Sequence, residues 1–199
     1  VELFAEGLGR VPAIAKGGRR PRSPTSALLQ PFQPLWIGLI GRGEVLTLTR
    51  VEAAGRPLAL DGRSLPCGFY LNELLMRLLG RGDAHDPVFA FYHSALDQLA
   101  RADDQDSPLR RFELNLLNEL GYAPSLDLVI DDGLPVEPDR RYRVEPGRGT
   151  CVAQTDESPE HVSGATLLAL TRGDRLGAGQ VREARALLRR LLEPHLGPK

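Results

Sequence analysis

The hydrophobic residues of this chain change their spacing near residue 56, and this change limits the folds that the chain can adopt. Before it, apolar and polar residues alternate in short segments that end at glycines, as in β-strands. After it, leucines recur three and four residues apart, as on one face of an amphipathic helix. The sequence therefore predicts an α+β protein with two domains, a β-rich head over residues 1–56 and a helical body over residues 57–199.

Four strands are predicted in the head, at residues 1–5, 10–16, 35–40 and 45–51. Glycines lie between the first two and between the last two, which is typical of hairpins. Two hairpins in so short a segment favour a small β-barrel over a sandwich. The chain begins inside the first predicted strand and without a methionine, so we expect that a native segment precedes Val1.

The body carries four leucine-rich stripes, at residues 71–79, 88–99, 109–120 and 180–192. Each stripe predicts a helix that packs into the core. Ser107 followed by Pro108 is a suitable start for the third helix. Between the third and fourth helices, the sequence predicts a small β-hairpin of residues 142–144 and 150–152 and a short helix capped by Ser163.

No pattern of enzyme chemistry stands out in the sequence. The histidines lack the spacing of metal ligands, and neither a Gly-x-Ser-x-Gly motif nor a Gly-x-x-x-x-Gly-Lys-[Ser/Thr] phosphate loop is present. Acidic clusters at residues 103–106 and 131–132 lie in predicted loops, where solvated charge is a simpler interpretation than a Mg²⁺ site. We therefore predict a protein without catalytic residues, metal or cofactor.

The two cysteines, Cys67 and Cys151, are too few for a disulfide scaffold or a four-cysteine zinc site. We interpret them as ordinary thiols of a reducing compartment, since neither has a basic partner that would activate it. No run of about 18 uncharged apolar residues is present that would span a membrane. The expected location is the cytoplasm, without membrane contact.

The net charge of −1 hides an uneven distribution. Residues 1–56 carry eight Lys or Arg and four Asp or Glu, a net charge of +4. Residues 57–160 carry ten and nineteen, a net charge of −9, and residues 161–199 carry seven and three, again +4. Two basic ends around an acidic middle indicate that an end of the chain, and not the whole of it, meets a polyanion.

The densest positive charge lies in the loop between the second and third predicted strands. Four cations fall within seven residues there, among glycines that let a loop approach a nucleic-acid backbone. Each phosphate that they neutralise releases counterions, and a small barrel with a basic inter-strand loop is how OB-folds hold single strands. Three more arginines of the barrel would extend this surface. The predicted DNA-binding residues are Lys16, Arg19, Arg20, Arg22, Arg10, Arg42 and Arg50.

Aromatic side chains, on which OB-folds stack bases, are scarce in the head. Phe4 suits the core, whereas Phe32 and Trp36 lie beside prolines and are predicted to anchor the strand that follows. We therefore expect binding that follows the sugar–phosphate backbone, ignores the base sequence and weakens with salt.

Two arginines beside an aromatic residue mark the start of the third predicted helix. Arg110, Arg111 and Phe112 suit an acidic, apolar peptide end, with guanidinium groups for its carboxylates and an apolar floor for its side chains. An ordinary salt bridge to the acidic middle of the chain explains the same arginines, and the residues alone favour that explanation.

Several segments, taken in their order, resemble the RecO family of bacterial recombination proteins. No single motif is decisive, but the joint order is specific and covers nearly the whole chain. The matching residues include Leu28-Leu29-Gln30-Pro31-Phe32-x-Pro34-Leu35, Gly41-Arg42-Gly43-Glu44, Tyr70-Leu71-Asn72-Glu73-Leu74, Leu109-Arg110-Arg111-Phe112-Glu113-Leu114 and Leu120-Gly121-Tyr122.

The resemblance implies an OB-fold head, a helical body and a set of partners. It implies binding to single- and double-stranded DNA, annealing of complementary strands, and loading of recombinase onto DNA coated with single-strand binding protein (SSB), together with the partner RecR. It also implies that the body takes the acidic C-terminal tail of SSB near Arg110, Arg111 and Phe112. The protein would then work at the nucleoid of a bacterial cytoplasm.

Two departures from the family pattern carry expectations of their own. The family's first strand lies before Val1, and a barrel without it would be open. Many members carry a four-cysteine zinc knuckle just after the Leu-Gly-Tyr segment, whereas Val129 and Asp132 stand where its first cysteines would be. We therefore predict no zinc, as in the zinc-free branch of the family.

Three functions stay open on the sequence. The leading hypothesis is a DNA-binding recombination mediator. The second is a protein-interaction adaptor whose basic head serves only solubility. The third is a hydrolase built on the acidic loops. They differ in salt dependence and turnover: only a mediator should lose its affinity for single strands steeply as salt rises.

Overall fold

The structure is a computed structural model that describes residues 1–18, 23–101, 103–153, 158 and 160–197. The chain divides into two compact units, Val1–Ala102 and Asp103–Lys199. Strands and helices occur in both units, so the predicted α+β class is confirmed. The first unit contains the predicted head together with two long helices of the predicted body.

A four-stranded sheet makes up most of the head. Its antiparallel pairs, β1–β2 and β3–β4, are the two predicted hairpins. Between these hairpins β2 runs parallel to β4, with Ala13 opposite Leu46. The strand order in the sheet is β1-β2-β4-β3, with bounds β1 (Glu2–Ala5), β2 (Gly9–Ala15), β3 (Leu35–Ile40) and β4 (Leu46–Ala53).

One face of the sheet, the inner face, is buried; the outer face is exposed at β3, β4 and Ile14, whereas β2 is buried on both faces over residues 9–13. Val11, Ala13 and Leu48 are buried on the inner face, whereas Ile14 is 54% exposed on the outer face. Within the described residues the sheet stays open, with β1 and β3 at its edges. Barrel closure is therefore not detected there, and the closed OB-fold barrel stays a prediction.

Three helices complete the first unit: α1 (Pro24–Leu28), α2 (Ser64–Leu78) and α3 (Asp86–Arg101). The long helices α2 and α3 are the first two that the leucine stripes predict, and Leu71 and Val88 of these stripes are fully buried. The short helix α1 was not predicted, because five residues with no buried side chain show no stripe.

Aromatic contacts support the predicted core role of Phe4. Its ring lies 5.5 Å from the ring of Phe89 and 5.8 Å from the ring of Tyr92, both on α3. The ring of Phe32 meets that of Phe69 edge-on at 5.2 Å, which fastens the segment before β3 to α2. Such tilted and edge-on pairs are favourable arrangements of aromatic rings.

The second unit combines three helices with a three-stranded sheet of order β6-β5-β7. The hairpin β5–β6, with Val144 opposite Thr150, confirms the predicted one. The strand β7 was missed, because two residues show no alternation. The elements are α4 (Asp106–Glu119), β5 (Arg141–Glu145), β6 (Gly149–Val152), β7 (Val162–Ser163), α5 (Gly164–Arg172), α6 (Ala178–Leu192) and a 3₁₀ turn (Glu193–His195).

The helix α4 begins close to its predicted start, but a different side chain caps it. The Asp104 carboxylate accepts hydrogen bonds from the backbone N–H groups of Asp106 and Ser107 and from the Ser107 hydroxyl, at 2.6–3.1 Å. Partial burial would raise the pKa of Asp104, but these bonds and Arg175 outweigh it and lower the pKa. An acidic cluster that we interpreted as solvated loop charge thus includes a helix cap.

The start of α5 confirms the predicted cap, since the Ser163 hydroxyl accepts the N–H of Thr166. A carboxylate of α6 reinforces it. Glu183 accepts hydrogen bonds from Arg141 at 2.6 Å, from the Thr166 hydroxyl at 2.6 Å, and from the hydroxyl and N–H of Ser163 at 2.6 and 3.0 Å. Desolvation would raise the pKa of Glu183, but the bonds from Ser163, Thr166 and Arg141 hold it below its usual value.

The leucine stripes of α4 and α6 pack in the core of the second unit, as predicted, and leucines of α5 join them. The side chains at the centre of this core are 0–1% exposed. Among the described residues, no helix is both long enough and apolar enough to cross a membrane. The largest of these buried side chains include Phe112, Leu116, Leu117, Leu167, Leu187 and Leu188.

Candidate functional site

Three of the predicted DNA-binding residues are exposed cations of the first unit. Lys16 follows the end of β2, Arg42 lies in the turn between β3 and β4, and Arg50 lies within β4. Arg19, Arg20 and Arg22 fall outside the described residues, so the proposed loop cluster keeps only its first member in the structure.

Arg50 is held by a neighbouring carboxylate on the same strand. Its Nε and Nη2 donate to the two carboxylate oxygens of Glu52 at 2.8 and 2.9 Å, and this pairing raises the pKa of Arg50. The side chains are 70% and 53% exposed. An exposed ion pair contributes at most about 1 kcal/mol to the stability of a protein. Arg50 can therefore exchange Glu52 for a phosphate at little cost in free energy.

Arg10 has a structural role instead of the predicted DNA-binding one. Its Nη1 donates to the carbonyls of Met76 and Leu79 at 2.6 and 2.7 Å, and its Nη2 donates to Glu2 at 2.8 Å. The residue is 9% exposed. The guanidinium therefore satisfies carbonyls at the C-terminal end of α2, and we leave Arg10 out of the proposed DNA-binding surface.

Trp36 is not the anchor that the sequence predicts. It is 69% exposed on the outer face of the sheet, whereas Phe32 packs on Phe69 as an anchor should. Within β3, Trp36 and Ile40 lie four residues apart and therefore share a face, and Ile40 is 63% exposed. The alternation of side chains along β3 could have indicated this exposure. Ile37 and Leu39 point to one face of the strand, which leaves Trp36 on the other.

The predicted peptide-binding residues divide between the interior and the surface. Arg110 and Phe112 are 6% and 1% exposed, and Arg110 forms an ion pair with the fully buried Glu113 at 3.0 Å. The ordinary salt bridge, which the residues alone favoured, is thus what Arg110 makes. Only Arg111 is exposed and free to meet a partner.

Arg111 lies in a groove of about 400 Å³ in the second unit. Its guanidinium rests against the turn after α5, where a Cβ at Gly173 would lie 2.9 Å from Nε of Arg111. Leu114, Leu126 and Leu170 supply the apolar part of the lining, and Arg172 adds a second cation. The groove thus places positive charge beside a lining that is mostly polar and includes Asp127, with the buried leucines as its smaller apolar part. The sequence showed Arg111 but not the loop and helix end that complete the groove.

A second cavity, of about 450 Å³, lies beside the small sheet. Its arginines already have carboxylate partners: Arg143 pairs with Glu145, and Arg148 with Glu145 and Asp131. Cys151 lines this cavity. Its desolvation is the main cause that raises the pKa of its thiol, so the thiol is not activated.

The two positions at which the family resemblance places zinc cysteines of other members have local structural roles here. Val129 is 3% exposed, and the Asp132 carboxylate accepts the N–H of Leu134 at 2.9 Å. No group of three or more His, Cys, Asp or Glu that could hold a metal ion was found among the described residues.

Family models match the chain from end to end. The model of the recombination protein O N-terminal region matches residues 1–56, and that of the C-terminal region matches residues 59–199. The chain belongs to the RecO family. The predicted family is thereby confirmed, and the chain is a protein of DNA repair and recombination.

Individual RecO proteins resemble the chain over nearly its whole length. The DNA repair protein RecO of Nitrosospira multiformis is 44% identical over 201 residues, which cover 100% of this chain and 83% of that protein. The RecO proteins of Halorhodospira halophila and Aromatoleum aromaticum are 47% and 46% identical, over 99% of this chain and 84% and 82% of their own length.

Proposed function

We propose that this RecO protein is a recombination mediator that works by binding and not by bond chemistry. It binds single- and double-stranded DNA, anneals complementary strands, and helps to load recombinase onto SSB-coated DNA together with RecR. The observation that carries the proposal is 44–47% identity, over nearly the whole chain, to proteins named for DNA repair. We further propose that it acts without zinc, at the nucleoid of the bacterial cytoplasm.

The proposed DNA-binding surface is the basic part of the head. Exposed cations bind phosphates by releasing counterions, without reading base sequence. The inner face of the sheet is packed, so the outer face and the loops remain for DNA. The surface comprises Lys16, Arg19, Arg20, Arg22, Arg42 and Arg50.

A salt titration tests this surface. The logarithm of the affinity for single strands should fall linearly with the logarithm of salt concentration, with a slope of about −0.7 for each phosphate contact. Changing Lys16, Arg19, Arg20 and Arg22 to Ala should flatten this slope. The control changes Arg182 and Arg189, which are exposed on α6, to Ala. An unchanged slope in the fourfold variant, or equal flattening in the control, would favour the adaptor function instead.

The proposed peptide site is the groove around Arg111. An acidic C-terminal tail such as that of SSB offers carboxylates for Arg111 and Arg172 and apolar side chains for the leucines of the lining. Arg110 and Phe112, which the sequence also predicts for this site, are buried and do not line the groove. We therefore propose Arg111 as the main contact for the tail.

A further inference from the structure

We propose that Trp36 is a stacking platform for a base of single-stranded DNA, and that Arg50 beside it binds a neighbouring phosphate. The inference rests on the proposed function and adds a base contact to binding that otherwise follows the backbone. It assigns the contact to the outer face of the β3–β4 hairpin.

The strand register places Trp36 on an open, partly apolar surface. Trp36 lies opposite Glu52, Gly38 opposite Arg50, and Ile40 opposite Thr47. Thr47 also pairs with Ile14 on its other side, so Ile14 and Ile40 flank it across three strands. These two isoleucines are 54% and 63% exposed, which leaves the row open for a flat ligand.

The exposure of the indole is not explained by folding. A tryptophan stabilises a fold mainly by the large apolar area that it removes from water, and Trp36 leaves 69% of its surface in water. An exposed indole is suited to a different task, because every base has a flat face that can stack on it regardless of sequence.

Arg50 lies where a phosphate next to the stacked base would come. It is the diagonal neighbour of Trp36 across the β3–β4 pair, and Gly38 has no side chain to separate them. In the free protein Glu52 holds Arg50 through an exposed pair. A phosphate can replace Glu52, because pairs of this kind are weak in water.

Charge favours nucleic acid over a protein partner on this face. Residues 1–56 carry a net charge of +4, and the described cations Lys16, Arg42 and Arg50 are exposed around the sheet. Protein–protein interfaces also favour tryptophan and arginine, but they are depleted of lysine and need no excess of positive charge. A tryptophan within a basic surface is instead the combination that single-strand binding uses.

The chain offers a direct optical test, because Trp36 is its only tryptophan. Indole emission of the full chain is followed, with excitation at a wavelength that tyrosine does not absorb. The chain is titrated with a single-stranded oligothymidine and with an abasic strand of equal length. Stacking should quench the emission with oligothymidine and leave it nearly unchanged with the abasic strand, which has phosphates but no bases.

Affinities of variants give the second readout. Trp36→Leu should weaken oligothymidine binding about fivefold or more, since one base stack contributes on this scale. Binding to the abasic strand and to duplex should be unchanged, and the salt slope should be kept. Trp36→Phe should recover part of the affinity. Ile40→Ala, a loss of apolar surface on the same face, is the matched control and should have a smaller effect.

The outcomes separate this inference from the proposed function. If oligothymidine binds without quenching and Trp36→Leu binds it normally, the stacking platform is refuted while DNA binding stands. If neither strand binds, the proposed function fails as well. A change of emission with protein concentration in the absence of DNA would show that the face joins two copies of the chain, and would also overturn the platform.

Discussion

The two proposed binding surfaces of this RecO protein differ in shape and in how their charges are held. The outer face of the head sheet is open at β3 and β4, and among the described residues its Arg50 pairs with the exposed Glu52. The groove of the second unit is concave, and its Arg111 rests against the turn at Gly173, with the small apolar part of the lining nearby. An open basic face suits a flexible polyanion of any sequence, whereas a shaped groove suits one kind of peptide end.

A second contrast concerns the buried and the exposed arginines of the two units. Arg10 in the first unit and Arg110 in the second are buried and hold their own units together. Arg50 and Arg111 are exposed and available to partners. Changes at the buried arginines should therefore act on folding, and changes at the exposed ones on binding.

The largest effect is expected from Arg110→Ala, which removes a partner of the fully buried Glu113. The free energy of unfolding of the second unit should fall by about 3–5 kcal/mol, because breaking a buried ion pair by removing one of its members is strongly destabilising. Chemical denaturation measures it. The double variant Arg110→Met, Glu113→Met is the control and should recover most of the loss. A mild effect of Arg110→Ala would mean that Arg110 belongs to the surface after all.

Arg111→Ala should weaken binding of an SSB-tail peptide by about ten- to a hundredfold, the scale of a charged hydrogen bond. The unfolding free energy and the affinity for single strands should not change, since Arg111 is exposed and lies in the second unit. Isothermal titration with the peptide checks this, with Arg182→Ala as the control for loss of charge. If peptide binding were weakened equally in the two variants, the peptide would be held by general electrostatic attraction and not by a defined groove.

Acid should destabilise the second unit through Glu183, which fixes the start of α5. Its pKa is lowered in the folded protein, so its stabilising contribution is complete above the ordinary Glu pKa of 4.5 and is lost as pH falls through the lowered value. Glu183→Gln should cost about 1–3 kcal/mol of stability at neutral pH and reduce the acid dependence of unfolding. Denaturant titrations across this pH range measure both. If the unfolding free energy of the variant fell with pH as steeply as that of the native chain, Glu183 would not be the group responsible.

The smallest effect is expected from Glu52→Gln, which releases Arg50 from its carboxylate partner. Affinity for single strands should rise about two- to fivefold, in line with the weak ion pair that is lost. Peptide binding and stability should be unaffected. Fluorescence anisotropy with labelled oligothymidine measures the change. A decrease in affinity would show that Glu52 orients Arg50 for DNA and does not compete with it.

Regular elements of this protein could be predicted because their periodicity is local. The leucine stripes gave α2, α3, α4 and α6, and glycine turns gave the hairpins. The Ser163 cap followed from a side chain next to its own helix. Contacts between segments distant in sequence could not be predicted in this way, and they include the parallel pairing of β2 with β4.

The candidate sites were predicted less completely, since the role of a charged residue depends on what surrounds it. Arg10 and Arg50 read alike in the sequence, yet one binds helix carbonyls and the other lies in water. Arg110 and Arg111 are adjacent on one helix, yet Arg110 is buried and Arg111 is exposed. Only the packing of α2 and α4 distinguishes the members of each pair.

The parallel pairing of β2 with β4 affects when the head can form during synthesis. The β1–β2 hairpin is local, but Ala13 must wait for Leu46, thirty-three residues further along the chain. Non-local pairing of this kind is slow, because the intervening chain must first be closed into a loop. Until β4 leaves the ribosome, β2 presents an unpaired strand edge. Nascent chains that stall between these strands should therefore be the aggregation-prone species of this protein.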